Sequence, residues 1–136
     1  MHLSGKLEIL VYKGYDLPNL DASKFRKSDD KSDPYVIVKL VNDKKKELKI
    51  SKTKVIDNCL NPVWNHNINH FVNEEVEEIK FDIYDKDKIM DDKIGTAIVN
   101  VNAFNDSKPF ENQVPVFNKK GSRAGFLAVK ITFYKD

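Results

Sequence analysis

The stretch that decides the fold is FDIYDKDKIMDDKIG, residues 81–95. Its first part alternates apolar and polar side chains, which is the period of a β-strand with one buried face. The strand then runs into four aspartates within eight positions, Asp85, Asp87, Asp91 and Asp92. Neighbouring carboxylates repel one another, and a chain that only had to turn would be better served by Asn, Gly or Ser. We therefore interpret this strand end as part of a site for a hard divalent cation, which takes oxygen ligands.

Seven further stretches carry strand signals and are separated by Gly, Pro, Asn and Asp. In the fourth, Trp64, Ile68 and Phe71 are the expected apolar anchors. Eight short strands without a long amphipathic helix are typical of an all-β sandwich or barrel, and 136 residues predict a single domain spanning 1–136. The predicted strands are 6–12, 35–41, 47–55, 63–72, 77–84, 94–101, 113–117 and 125–133.

Composition predicts a globular protein of the cytoplasm. The chain is 40% hydrophobic and 32% charged, with a net charge of +2. No apolar run is long enough to cross a bilayer, and the first residues lack the apolar core of a signal peptide. Cys59 is the single cysteine, so an internal disulfide is impossible, which agrees with a reducing compartment.

A second pair of acids brackets the long polar connection after the first strand. Asp21 and Asp33 lie at its two ends, and the connection has room for a short helix over residues 22–27. In an antiparallel sandwich the connections after strands one and five can meet at the same end. Five carboxylates would then converge there and could share two Ca²⁺ ions. A solvated acidic turn is the alternative for either segment taken alone.

An EF-hand is the competing metal site, and the sequence does not fit it. With Asp85 as position one, Ile89 falls on position five, Met90 replaces the glycine at six, and Thr96 replaces the glutamate at twelve. The flanking segments are also predicted strands and not helices. The acids therefore belong to a different kind of site.

Seven short motifs are spread along the chain. They are GKLEI (5–9), DLP (16–18), SDPYV (32–36), KTKV (52–55), LNPVWN (60–65), DKD (85–87) and DKIG (92–95). Taken together, these motifs resemble the C2 domain, the Ca²⁺-dependent membrane-docking module of protein kinase C and synaptotagmin, over essentially the whole chain. The resemblance implies an eight-stranded antiparallel Greek-key β-sandwich. Because the chain starts with the strand that feeds the first acidic loop, it is similar to the phospholipase-like (type II) circular arrangement.

The resemblance also implies a ligand set for two Ca²⁺ ions, or three. Asp29 or Asp30 could replace Asp21 as a ligand, because the first loop is long. Asp91 could replace Asp92, because the third loop, which follows Asp85, is short. Backbone carbonyls near Leu20 and Lys86 would join the carboxylates. The implied carboxylate ligands are Asp21, Asp33, Asp85, Asp87 and Asp92.

Two features predict contact with an anionic phospholipid membrane. Ile89 and Met90 lie between acids at the tip of the third loop and can enter the headgroup region, as can Phe25 in the first loop. The resemblance further implies a concave face that binds phosphoinositide headgroups. Phosphatidylserine, a phosphoinositide or both are the expected lipids. The residues expected on that face are Tyr35, Lys39, Lys52, Lys54 and Tyr84.

The expected function is therefore Ca²⁺-dependent membrane targeting, by a cytoplasmic signalling domain that is recruited peripherally when Ca²⁺ rises. No nucleophile elbow, Walker loop or HExxH motif is present, so we do not expect an enzyme. Nucleic-acid recognition signals are missing as well. We expect a monomer. The alternative is a C2-like protein-interaction scaffold that works without Ca²⁺.

Overall fold

The computed structural model describes residues 1–20, 31–106 and 108–136 of the chain. Eight strands occur in these ranges, and each overlaps one of the predicted stretches. A one-turn 3-10 helix, Val101–Ala103, follows the sixth strand. The strands are β1 (His2–Tyr15), β2 (Pro34–Val41), β3 (Glu47–Lys52), β4 (Val63–Glu75), β5 (Glu78–Asp85), β6 (Asp92–Asn100), β7 (Phe110–Phe117) and β8 (Arg123–Lys135).

The strands follow one antiparallel order, β3-β2-β5-β6-β7-β8-β1-β4, which folds over between β6 and β7 into two sheets of four. The sheets meet along β6 and β7, which share a single residue pair, Thr96 with Phe117. Gly95 lies at this joint, where an added Cβ would approach within 2.7 Å of the Phe117 carbonyl oxygen. Side chains from both sheets fill one core, so the predicted β-sandwich is confirmed. The position of β1 between β8 and β4, leading into the first acidic connection, agrees with the expected type II order.

Strand lengths differ from the sequence-based expectation where backbone pairing overrides the side-chain pattern. β1 and β8 are longer than predicted because they pair from Gly5–Lys135 to Tyr15–Phe126. β3 is shorter and ends at Lys52. Beyond it, Thr53 donates its N–H to the Val36 carbonyl at 2.9 Å, and its hydroxyl accepts the Val36 N–H at 2.9 Å. The Thr53 hydroxyl oxygen thus accepts the hydrogen bond that a backbone carbonyl of β3 would otherwise accept, and the regular pairing of β2 with β3 ends.

The prediction for β4 is wrong at one position. Trp64 and Ile68 are buried as expected, but Phe71 is 79% exposed and Val72 takes the inward place. Because side chains alternate with a period of two along a strand, Phe71 cannot share a face with Trp64 and Ile68. Phe71 is therefore an outward-facing aromatic residue, and its exposure needs a separate explanation.

The fold brings the two acidic connections to the same end of the sandwich, as predicted. β2 begins where β5 ends, with Pro34 paired to Asp85, and the connections 16–33 and 86–91 leave from that point. The chain ends lie at the opposite end. There, Asp136 donates its N–H to the Ser4 carbonyl at 3.0 Å, and the Ser4 hydroxyl donates to the Asp136 carboxylate at 2.9 Å.

Candidate metal and membrane site

Two of the predicted carboxylate ligands are joined through the backbone. The N–H of Asp33 donates to Oδ1 of Asp85 at 2.8 Å, and the N–H of Lys86 donates to the Asp33 carbonyl at 3.0 Å. Asp85 ends β5 opposite Asp92, the first residue of β6. Asp85 is only 1% exposed. Asp33, Asp85 and Asp92 are thus held on neighbouring strand ends by the pairing of the sheet.

A turn that the sequence analysis did not assign to the site fixes Asp33 from the other side. The Asn58 N–H donates to Oδ1 of Asp33 at 2.6 Å, and the Asn58 side-chain oxygen accepts the Lys31 N–H at 2.5 Å. Asn58 has a φ of 55°, a left-handed conformation that asparagine tolerates better than most residues. The available signal was the Asp57-Asn58 pair, which is typical of turns but does not reveal what the turn contacts.

Asp91 shapes the third loop from within. Its Oδ1 accepts the N–H of Asp87 at 2.9 Å, and its Oδ2 accepts the Tyr35 hydroxyl from β2. These hydrogen bonds, the Asp87 bond above all, hold the pKa of the Asp91 carboxyl below its usual range. Burial, together with the bond to Asp91, raises the pKa of the Tyr35 hydroxyl. Both carboxylate oxygens of Asp91 therefore have protein partners, one in the third loop and one on β2.

The acids supply the right atoms for Ca²⁺, which prefers carboxylate and carbonyl oxygens. Within residues 1–20, 31–106 and 108–136, however, no three His, Cys, Asp or Glu side chains converge closely enough to hold a metal ion. The first-loop candidates, Asp21, Asp29 and Asp30, lie outside the described residues, as do Phe25 and the short helix expected at 22–27. The donor chemistry fits Ca²⁺, and the complete ligand set stays a prediction.

The tip of the third loop is apolar and exposed. Ile89 is 97% exposed and Met90 is 74% exposed, although acids stand on both sides of them. A loop that only connected two strands would gain nothing from two large apolar side chains in water, each of which gains about 1.5–3 kcal/mol when it is fully buried.

Two stacked tyrosines lie among the residues that were predicted for a lipid-binding face. Tyr35 of β2 and Tyr84 of β5 are directly paired, with ring centroids 5.7 Å apart. The ammonium group of Lys52 lies over the Tyr35 ring, 4.7 Å from its centroid. Lys54 lies just beyond β3 and is exposed. Three of the five predicted residues are therefore in contact with one another, on the sheet that borders the acidic end.

Lys39 is on the same face, but it belongs to an ion-pair network that the sequence analysis missed. Its ammonium group lies 2.7 Å from the carboxylate of Asp82 and 3.1 Å from that of Glu47. Asp82 is fully buried, although it faces outward, and also contacts Lys93 at 3.1 Å and the Thr96 hydroxyl at 2.7 Å. The alternation of polar and apolar residues along β5 does not indicate that the outward-facing Asp82 is buried by neighbouring side chains.

The pKa of Asp82 reflects this network. Burial by itself raises the pKa of the carboxyl, but the hydrogen bonds from Lys39, Thr96 and Lys93 outweigh it and hold the pKa below the usual range. Asp82 is therefore ionised and neutralises part of the positive charge of the face. Lys39 is engaged in ion pairs within the protein, whereas Lys52 and Lys54 are exposed.

Comparison with known proteins gives the family. The C2 domain family model matches residues 5–116, which is most of the chain. The chain is 39% identical over 98 residues to Protein C2-DOMAIN ABA-RELATED 11 of Arabidopsis thaliana, covering 71% of this chain and 51% of that protein. The chain belongs to the C2 domain family.

Other C2 domains match over nearly the full length. Synaptotagmin-4 of Arabidopsis thaliana is 31% identical over 93% of this chain and 20% of its own length. A C2 domain of plant Extended Synaptotagmin 1 superimposes with a TM-score of 0.76 at 20% identity, covering 98% of both chains. Calcium-bound Extended-Synaptotagmin 2 gives 0.77 at 22% identity over 98% of this chain and 46% of that one. These two structures establish the fold. The C2 domain spans about half the length of the first curated relatives it matches, or less.

No helix among the described residues of this C2 domain is long and apolar enough to cross a membrane.

Proposed function

We propose that this C2 domain binds anionic phospholipid membranes in response to Ca²⁺, as a peripheral membrane-targeting module. The observation that carries the proposal is the exposure of Ile89 and Met90 at the end of the sandwich where the strand ends also carry Asp33, Asp85 and Asp92. Relatives that are named synaptotagmin and tricalbin support a membrane role. A solved neighbour that is named as calcium bound supports the choice of metal.

The charge of the acidic end explains why metal and membrane should act together. Without metal, its carboxylates repel an anionic leaflet. Two bound Ca²⁺ ions would add positive charge and leave coordination positions open to lipid phosphate oxygens. Each ligand should then strengthen the binding of the other, because the coupling between two sites is reciprocal. The ligands we propose are Asp21, Asp33, Asp85, Asp87 and Asp92, with carbonyls near Leu20 and Lys86.

The lysine face is proposed as a second contact of lower strength. Lys52 and Lys54 are available to an anionic headgroup, and each lysine near such a surface contributes about 1 kcal/mol. Lys39 is paired with Asp82 at 2.7 Å, so its contribution is reduced. We therefore propose phosphatidylserine, recognised by the loops, as the main lipid, with phosphoinositides adding affinity through Lys52 and Lys54.

Sedimentation with liposomes tests the proposal. Vesicles of phosphatidylcholine with phosphatidylserine are mixed with the protein in Ca²⁺ or in chelator, and we expect pelleting only in Ca²⁺. The Asp85→Asn, Asp87→Asn double variant should remain in the supernatant in both conditions. Equal pelleting of the natural protein with and without Ca²⁺ would contradict the proposal. In the cell, we expect the corresponding behaviour to be recruitment of the protein from the cytoplasm to membranes during a Ca²⁺ signal.

One observation favours the alternative of a Ca²⁺-independent interaction scaffold. In the part of the chain that the structure describes, fewer than three acidic side chains converge at metal-binding distance. If residues 21–30 of the first loop do not complete the site, the acidic end could instead contact a basic protein surface. Calorimetric titration with Ca²⁺ in the absence of lipid separates the two, since only the first proposal predicts a binding isotherm.

A further inference from the structure

We propose that this C2 domain forms a two-fold dimer by antiparallel pairing of β4 with β4 of a second copy. β4 (Val63–Glu75) is the last strand of its sheet, and among the described strands it pairs along one edge only, with β1. An unpaired strand edge offers its backbone hydrogen-bonding groups to another strand. The expectation of a monomer, drawn from sequence, did not consider this edge.

The two edge strands on this side of the sandwich, β3 and β4, differ in length and in the charge of their side chains. β3 is six residues long, and three of its residues are charged, which is the usual protection of an edge. β4 has 13 residues. Between Val63 and Asn73 it carries no Lys, Arg, Asp, Glu or Pro, and its outward face reads Val, Asn, Asn, Asn, Phe, Asn. That outward face carries no charge to repel a second copy of itself.

The regular part of β4 fixes where pairing can occur. Asn65 has a φ of 47°, and the register with β1 shifts beside it. A bulge of this kind interrupts an edge, so uninterrupted pairing is restricted to the residues after it, 66–75. The pairing must also be two-fold symmetric, so that each residue meets the same partner in both copies.

One register within that segment is self-complementary, namely the one in which His70 faces its own copy. His66 then lies opposite Glu74 of the partner copy, and Ile68 lies opposite Val72. On the outward face, Asn67 lies opposite Asn73. Directly opposed side chains of opposite charge or of apolar character stabilise a strand pair, whereas like charges destabilise it. No opposed pair from 66 to 74 brings two acidic side chains together, and Ile68 opposite Val72 is an apolar pair.

The same register accounts for Phe71, which is 79% exposed in the single chain. The two copies of Phe71 become diagonal neighbours across the axis, on one face of the extended sheet. Diagonal side chains are about 7–8 Å apart between Cα atoms, which is within reach of aromatic rings. Each ring would then cover the other. Pairing one strand segment buries less area than a standard interface, so we expect a weak dimer, with a dissociation constant of about 10 µM to 1 mM.

A charge swap tests both the pairing and its register. Asn67 and Asn73 face Leu10 and Ser4 within the monomer, so charges placed there meet no charged partner on β1. Asn67→Lys with Asn73→Lys, the two-lysine variant, places two pairs of lysines in direct opposition across the dimer. Asn67→Lys with Asn73→Glu, the mixed-charge variant, places two pairs of opposite charge there. Both variants replace the Asn73 side chain that contacts His2, so each is the folding control of the other.

Sedimentation equilibrium on the whole chain, up to about 1 mM, provides the readout. We expect concentration-dependent dimers of the natural protein, no dimer of the two-lysine variant, and association at least about tenfold tighter for the mixed-charge variant. A natural protein that stays monomeric throughout overturns the proposal. So does a dimer that responds equally to both variants.

Cross-linking gives a second measurement, because an intermolecular disulfide traps the dimer covalently. In a Cys59→Ser background, His70→Cys should form an intermolecular disulfide on oxidation because the two residues face each other. Asn67→Cys should not, since its two copies would be about 20 Å apart along the strands. Efficient cross-linking at position 67, or none at position 70, would overturn the register.

Discussion

The backbone N–H of Asp33 donates a 2.8 Å hydrogen bond to the carboxylate of Asp85, 52 residues further along the chain. This bond joins the start of β2 to the end of β5, and therefore the first acidic connection to the third loop. The two halves of the candidate site are thus positioned by protein groups before any metal arrives. What a metal would add is neutralisation of the negative charge that Asp33, Asp85 and Asp92 bring to this end of the sandwich.

Removing that charge should stabilise the metal-free protein. Asp85→Asn keeps an oxygen that can accept the Asp33 N–H, and Asp87→Asn removes a second charge from the loop. We expect the double variant to melt about 2–4 °C higher in chelator, as about 1 kcal/mol would give in a domain of this size. Scanning calorimetry of both proteins in chelator measures this shift.

The same variants provide the control, since Ca²⁺ should raise the melting temperature of the natural protein and leave that of the double variant unchanged. A lower melting temperature of the double variant in chelator would show that repulsion is not the dominant effect of these acids.

The exposed loop tip should determine membrane affinity without affecting the fold. Ile89→Ser with Met90→Ser removes two side chains that touch water in the free protein. Each would transfer part of its apolar area into the headgroup region, so we expect vesicle affinity to fall at least about tenfold for the pair. Titration of vesicles in Ca²⁺ measures it. Ile98→Ser, which changes a half-exposed residue on β6, should leave the affinity unchanged, and an equal loss there would remove the case for insertion.

The two neighbouring aspartates of the third loop should differ in their effect on Ca²⁺ binding. Both oxygens of Asp91 accept hydrogen bonds that shape the loop, from Asp87 and Tyr35, and Asp92 begins β6 opposite the proposed ligand Asp85. We expect Asp92→Asn to weaken Ca²⁺ binding by about tenfold or more, and Asp91→Asn to weaken it less. Isothermal titration with Ca²⁺ ranks the two, and the opposite ranking would assign the ligand role to Asp91.

The buried Asp82 should make stability depend on pH. Its folded-state pKa is lowered, so the stabilisation it provides is fully present above the ordinary aspartate pKa of about 3.9 and is lost as the pH falls through the lower folded value. Asp82→Asn leaves Lys39 and Lys93 without this partner and should cost about 1–3 kcal/mol at neutral pH. Urea denaturation at about pH 7 and about pH 3 should show a difference that narrows in acid.

Glu111 offers a matched control for Asp82. Its carboxylate is 72% exposed and lies 4.0 Å from Lys130, so Glu111→Gln should change stability very little, as for most exposed ion pairs. If Asp82→Asn behaved like Glu111→Gln, the network around Lys39 would have no energetic role.

The sequence predicted the strands well because alternation and turn residues report directly on which face is buried. It also predicted that Asp33 and Asp85 would share one end of the sandwich, since that follows from counting antiparallel crossings. The family could be named from short motifs such as SDPYV and DKIG. The positions of Asp21 and Phe25 stay predictions, because they lie in the part of the first loop that the structure does not describe.

The remaining features depend on contacts that no local pattern encodes. Asn58 reaches Asp33 only because the turn after β3 folds back onto the start of β2. Lys39 pairs with Asp82 because of the register of β2 and β5. Asp82 lies opposite Ile37, so Lys39 and Asp82 are diagonal neighbours on one face of the sheet. The error at Phe71 came from favouring residue type over strict alternation, and this residue became informative once its true orientation was known.

The proximity of Ser4 and Asp136 has a topological consequence. β8 and β1 are adjacent antiparallel strands whose free ends touch, so a short peptide from Asp136 to Met1 would close them into an ordinary hairpin. Opening the chain instead in the turn at 118–122 would leave every strand pair intact and would move β8 to the front. That permuted chain would have the strand order of the synaptotagmin arrangement. A peptide link between residues 136 and 1, together with a break in the turn at 118–122, therefore converts one connectivity of the fold into the other. The new link lies at the end of the sandwich opposite the acidic loops.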